Sequence, residues 1–96
     1  MTKEIWKEVL GNQKYLVSNK GRIYSKVNEY FLIPSKDQYG YLYVRIKFGD
    51  KIRSVKVHRL VAEAFLGRKL KPSEDIHHLI SKDDNNFDHM IVLPHS

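Results

Sequence analysis

The sequence predicts an α+β fold: a small antiparallel β-sheet with one helix, then two short strands joined by a loop. Three observations carry this. Residues 41–48 alternate, with Leu42, Val44, Ile46 and Phe48 on one face and Tyr41, Tyr43, Arg45 and Lys47 on the other, the period of a half-buried strand. From His58 to Leu66 the period changes: Leu60, Val61, Ala64 and Phe65 form one helical stripe, and Gly67 is placed to end it. From Asp75 to Leu93 the chain passes adjacent histidines, His77 and His78, crosses a polar loop ending in Asn85-Asn86, and closes on the apolar run Ile91-Val92-Leu93. Such a layout suits strand, loop and strand, with imidazoles at its root.

The remaining elements follow in order. Trp6, in a short mixed segment, is expected to anchor the N-terminus to the core. Tyr15 to Ser18 and Arg22 to Ser25 read as two strands, and Asn19-Lys20-Gly21 supplies residues that a tight hairpin turn favours. Phe31-Leu32-Ile33 reads as a brief strand stopped by Pro34, with a polar loop from Ser35 to Gln38. After Gly49-Asp50, Ile52 to Val57 returns as a partner strand carrying Arg53 and Lys56, so the outward face of this hairpin is expected to be aromatic and basic together. Arg68 to Pro72 is a basic linker.

At 96 residues the chain is one small domain or a closely knit pair of half-domains. Its hydrophobic fraction of 42% argues for a folded protein. Without cysteine it has neither disulfides nor a thiolate zinc site. The N-terminus holds no long apolar run, so neither a signal peptide nor a membrane span is expected, and a cytoplasmic location is the default. The formal net charge of +6 is unevenly spread. Residues 1–71 hold 16 of the 17 Lys and Arg and 6 of the 11 Asp and Glu; residues 72–96 hold one Lys and five acids. The first part suits a polyanion such as nucleic acid, and the acidic, histidine-bearing tail suits a cation. A merely solvated basic surface is the bland alternative.

Taken together these segments resemble a known family. Ile5-Trp6-Lys7 followed by Tyr15 to Ser25 resembles the NUMOD4 motif of phage and intron-borne HNH homing endonucleases. Gly40 to Val44 and Val57 to Phe65 resemble the segment that follows it, and His77-His78, Asn85-Asn86 and Ile91 to Leu93 resemble the start of the HNH, or His-Me finger, nuclease motif. The resemblance implies a NUMOD4-like, basic, β-rich DNA-binding part over residues 1–56. It implies an HNH-type finger over residues 57–96, with its helix at 58–66 and its catalytic strand-loop-strand at 75–93. Such a finger is a ββα metal finger. His78 falls where the family places its general base, which takes a proton from water for attack on a phosphodiester, a task suited to imidazole near neutral pH. His77 falls where the family has an Asp or His ligand for one divalent cation, here Mg²⁺, with Mn²⁺ or Zn²⁺ as alternatives. Asn86 closes the loop by bonding backbone groups. The partner implied is double-stranded DNA, with Lys20, Arg22, Arg45, Lys47, Arg53 and Arg59 as phosphate contacts that give affinity and orientation.

The sequence also departs from the family's pattern. Met90 stands where an Asn usually precedes the apolar pair of the second strand, and Met cannot supply its hydrogen bonds. Ile80 occupies a position that is often Asp. The last motif residue, a His or Asn ligand on the terminal helix, is expected beyond Ser96, so the finger is expected to lack that helix; His89 and His95 are substitute ligands. Strand alternation would put His89 on the face of Ile91 and Leu93. The readings are a metal-dependent DNA endonuclease, a non-cleaving or truncated DNA-binding relative, and a structural zinc protein using His77, His78, His89 and His95. Adjacent histidines on a strand face opposite ways, which weighs against the last.

Overall fold

The computed structural model describes residues 3–94. Among them lie nine short strands and one α-helix, in three antiparallel sheets. The first sheet has the order β1(Trp6–Val9), β2(Asn12–Ser18), β3(Ile23–Ser25), β4(Tyr30–Phe31). The second is β5(Ser35–Lys36), β6(Leu42–Phe48), β7(Lys51–Lys56), and the third is β8(Glu74–His78) against β9(Met90–Pro94). Helix α1(Val57–Leu66) follows β7 directly. No helix follows β9 among the described residues.

The core lies where the first two sheets meet α1. Alternation in β6 turns Val44 and Ile46 inward to meet Val9, Val17, Ile23, Val57, Leu60 and Val61, all buried. The helix buries more than its predicted stripe: Ala62 and Glu63 are also covered. A buried carboxylate needs partners, and Glu63 has two, accepting from the Leu70 backbone N–H at 2.9 Å and meeting Arg59 Nε at 3.3 Å. Gly67 ends the helix in the left-handed region at φ 75°, donating its N–H to the Glu63 carbonyl, a conformation that costs any residue with a Cβ. Helix α1 packs against β1, β2, β6 and β7 and also against β8 and the 3₁₀ turn Phe87–His89.

Several expectations are corrected. The brief strand is Tyr30–Phe31, while Ile33 is 91% exposed. Part of the polar loop, Ser35–Lys36, pairs with Tyr43 and Leu42. Val57 opens the helix instead of closing β7. Trp6 does not enter the core: its ring lies 5.9 Å from Phe31, with the Arg22 guanidinium 5.3 Å from its centroid. His89 is not on a strand. It sits in the 3₁₀ turn, its Nδ1 2.7 Å from Asp84 Oδ2. His95 lies outside the described residues.

Candidate functional site

The hairpin β8–β9 pairs His78 with Met90 and His77 with Ile91. Strand alternation sends the two imidazoles to opposite faces. His77 is exposed, whereas His78 is half-buried against α1 and the start of β6. Its ring lies 4.9 Å from His58 and 5.5 Å from Tyr41, and those two rings are 5.4 Å apart, so three elements bring three rings together. Lys82 Nζ lies 5.2 Å from the Tyr41 ring centroid.

The loop between β8 and β9 supplies the fourth member. His78 Nε2 lies 3.3 Å from Asn85 Oδ1, and Asn85 is 4% exposed. The amide orientation follows from its other end, where Nδ2 donates to the Asp83 carbonyl at 3.4 Å. Oδ1 can only accept, so Nε2 carries the proton and Nδ1 keeps the lone pair. His78 Nδ1 is buried and has no hydrogen-bond partner among the described residues; the same is true of His58 Nδ1. An orphaned buried nitrogen marks a place where a further partner is to be expected. Burial pushes the His58 imidazole down to about 4, helped by charge repulsion from its neighbours, Lys56 and Arg59 among them, and opposed by Asp37, so His58 is neutral at physiological pH.

The rest of the loop is held by its own side chains. Asn86 Nδ2 donates to Asp84 Oδ1 at 2.7 Å, the Asn86 N–H meets the same oxygen at 3.2 Å, and Ser81 Oγ donates to Asp83 at 2.7 Å. Burial raises the Asp84 pKa, but the bonds from Asn86 and His89 outweigh it and leave the carboxyl below its usual range. Asn86 therefore bonds the loop to Asp84, and the residue that reaches His78 is its neighbour Asn85.

The six basic residues do not form one surface. Arg45 and Lys47 project from the outward face of β6, with Tyr43, opposite Ser54, Ile52 and Lys56 of β7. Neither has an ion-pair partner among the described residues, and Asp37, Gln38, Lys36 and Lys56 line a cleft of about 490 Å³ beside Tyr43. Arg53 is opposite Ile46 in register and so points to the other face, where it lies 6.0 Å from the Phe48 ring centroid and lines a groove of about 530 Å³ with Arg59 and Lys69. This corrects the expectation of Arg53 on the outward face. Arg22 is bound bidentately to Glu4 at 2.9 and 2.7 Å and stacks over Phe31 at 4.8 Å. Lys20 is exposed at the tip of the β2–β3 turn.

The donor set for a divalent ion does not assemble. Among the described residues no three His, Asp or Glu side chains converge as a metal site, and His77 stands apart from His78, with His89 engaged by Asp84. The four-histidine zinc arrangement therefore receives no geometric support from its three described members, His77, His78 and His89.

Sequence reasoning missed Asn85, His58 and Tyr41. Each had a faint signal: Asn85 is the first of an Asn pair, and His58 is a lone imidazole in the first turn of an apolar helix.

Residues 4–47 match the NUMOD4 motif. The chain is 31% identical over 80 residues to an uncharacterised HNH endonuclease of Acanthamoeba polyphaga mimivirus, covering 83% of this chain and 19% of that protein. A second uncharacterised HNH endonuclease of the same virus is 36% identical over 55 residues, 57% of this chain and 17% of the other. Among solved structures, that of the HNH homing endonuclease I-HmuI, described for DNA binding and cleavage, superposes with a TM-score of 0.83 at 28% identity, over 94% of this chain and 52% of that one. The chain is thus similar to HNH endonucleases, a homing-type member among them, and carries a NUMOD4 match in its first half. It spans less than a fifth of the curated relatives and about half of the solved one.

Proposed function

We propose that this chain acts on double-stranded DNA in the manner of an HNH endonuclease, hydrolysing a phosphodiester with His78 as general base. The observation that carries this reading is the His78–Asn85 contact, which puts the proton on Nε2 and leaves a lone pair at Nδ1. In the reaction, Nδ1 takes a proton from the water that attacks phosphorus. Because Nδ1 is covered in the free protein, the rings of Tyr41 or His58 have to shift as DNA seats. Arg45 and Lys47 on the open face of β6, with Lys20 at the turn tip, hold phosphates. Arg53 and Arg59 contact a second stretch of backbone, and Arg22, committed to Glu4, contributes least. In this division residues 1–56 carry most of the DNA surface and residues 57–96 the finger.

A divalent cation, Mg²⁺ first, belongs to the same reading. It supplies Lewis acidity at the leaving oxygen, and His77 is the one residue here assigned to it. The described residues do not complete its coordination, and no step above passes through it. We place the activity in the cytoplasm, where no helix long and apolar enough to cross a membrane is required; none occurs among the described residues.

With Mg²⁺ or Mn²⁺ the purified chain is expected to nick supercoiled plasmid, and His78→Ala to lower the rate by about a hundredfold or more. Undiminished nicking by that variant removes His78 from the mechanism. A second reading, a DNA-binding relative that does not cleave, is favoured by the unassembled donor set. It is the outcome if the chain shifts DNA with strong salt dependence yet never nicks.

A further inference from the structure

The loop that bears Asn85 does not stand alone. Its neighbour Phe87 donates its backbone N–H to the Asn19 carbonyl at 2.7 Å, and Asn19 belongs to the turn between β2 and β3. That turn is tightly braced. Asn19 accepts from the Ile5 N–H at 2.8 Å, its own N–H reaches the Ile5 carbonyl at 3.0 Å, and its Nδ2 donates to the Lys3 carbonyl at 3.2 Å. Ser18 Oγ, fully buried, accepts from both the Lys20 and Arg22 backbone N–H groups at 3.1 Å. Gly21, at φ 90°, presses its bare Cα against the loop: a Cβ there would lie 2.7 Å from Asn85 Cβ and 3.1 Å from the Asn85 carbonyl oxygen. Glycine is therefore needed twice at this position, once for its φ and once for the close approach.

We propose that the β2–β3 turn is a positioning element of the His78 site, in which Asn19 and Gly21 seat Asn85 so that Asn85 fixes the proton on Nε2 of His78. Asn85 Oδ1 is 3.3 Å from His78 Nε2, near the outer limit for a hydrogen bond, so a displacement of a few tenths of an ångström at Asn85 breaks it. The turn lies within the NUMOD4 match and Asn85 outside it, so the contact couples the DNA-binding part to the candidate catalytic group through structure alone. Its catalytic meaning rests on the nuclease reading; its structural meaning does not.

The test uses the full chain and Gly21→Asn. Asn tolerates positive φ better than other residues with a Cβ, so this variant introduces the Cβ with the least added backbone strain, though at φ 90° some remains. Gly49→Asn, where φ is 64° and a Cβ meets nothing within 4 Å, controls for whatever strain is left. In imidazole ¹⁵N spectra at pH 8, wild-type His78 is expected to be the Nε2–H tautomer. Gly21→Asn and Asn85→Ala should both shift it towards a tautomer mixture, and Gly49→Asn should not. With cleavable DNA already bound, Gly21→Asn should slow single-turnover nicking about tenfold while the Kd stays within about twofold. In an Asn85→Gly background, which removes the clashing Cβ, adding Gly21→Asn should change little more, the signature of coupled sites. An unchanged His78 tautomer in Gly21→Asn overturns the proposal, as does a full independent effect in the double variant. If Gly21→Asn does not fold, Asn19→Asp, which keeps the turn's acceptor but loses the Nδ2 donor, should shift the same His78 signals, and their constancy overturns the proposal. If wild type never nicks but the tautomer responds as described, the nuclease reading fails and the positioning role stands.

Discussion

The N-terminal sheets and the β8–β9 finger are stabilised in different ways. The sheets close on α1 over a shared apolar core in which Val17, Ile46, Val57 and Val61 are fully buried. The finger has almost no core of its own. Of its apolar side chains only Met90 is buried, in the shared core, with Ile76, Phe87 and Val92 partly buried against it, while Leu79, Ile80, Ile91 and Leu93 are between 43% and 67% exposed. Its order comes from hydrogen bonds within its loop and from what the rest of the fold supplies: the Asn19 carbonyl, the surface of Gly21, the ring of Tyr41, and the rings of His58 and Phe65 on α1. A unit of some 20 residues cannot bury enough surface to hold itself. A histidine placed on such a unit is only as well oriented as the contacts that hold the unit.

That contrast can be broken by substitution. Ile46→Ala, in the shared core, should cost about 2–5 kcal/mol and lower the denaturation midpoint of sheets and finger together, since the finger has no support when the sheets melt. A finger signal that outlives the sheets would contradict the dependence. Met90→Ala removes the finger's one buried apolar side chain and should cost about 2 kcal/mol, with amide exchange accelerated most in β8, β9 and the intervening loop. Equal acceleration in β2 would mean that Met90 supports the sheets as much as it supports the finger.

Acid should loosen the junction before it unfolds the rest. The His58 pKa falls from 6.5 to about 4 on folding, so between those values the unfolded chain takes up a proton that the folded chain refuses. Stability is thus fully present above about pH 6.5 and declines as pH falls towards 4, by at most one proton's worth of slope. Asp37, held down to about 2 chiefly by Lys56, and Glu74, held down to about 2 chiefly by Arg68, act lower: their contribution is present above the ordinary carboxylate range and is lost as pH falls towards 2. Denaturation midpoints taken at pH 7, 5.5 and 4.5 check this. A flat profile across them would show that His58 is not buried neutral.

The smallest expected effect separates the arginines. Arg45→Ala should reduce the slope of log K against log salt for duplex DNA by about one, whereas Arg22→Ala, already paired with Glu4, should leave that slope nearly unchanged. Equal effects would place both on one binding face, contrary to the side-chain partners seen here.

What could be read from the sequence was what local period encodes. The faces of β6 and the stripe of α1 follow from spacings of two and of three to four residues, and both packed as that spacing requires. Arg53 was misplaced because Lys51 to Ser54 are all exposed and carry no alternation. Trp6 suggested a core anchor by its size, yet on the outer face of β1 its ring meets Phe31 and Arg22 instead of the core. His77 and His78 stood out by type, but the surroundings of His78 come from positions 21, 41, 58 and 85, which no local pattern joins. Asn86 drew notice over Asn85 because their difference lies in direction, and the loop's fold decides that.

Amide exchange at Phe87 tests the borrowed order of the finger most directly, because its N–H is the hydrogen bond that crosses from the finger to the Asn19 carbonyl. If the sheets hold the finger, Phe87 should exchange within about tenfold of the amides of the central strand β2 and should speed up selectively in Gly21→Asn. Exchange at Phe87 several orders of magnitude faster than β2 in the wild type would show a finger that opens by itself, with His78 oriented by something other than the β2–β3 turn.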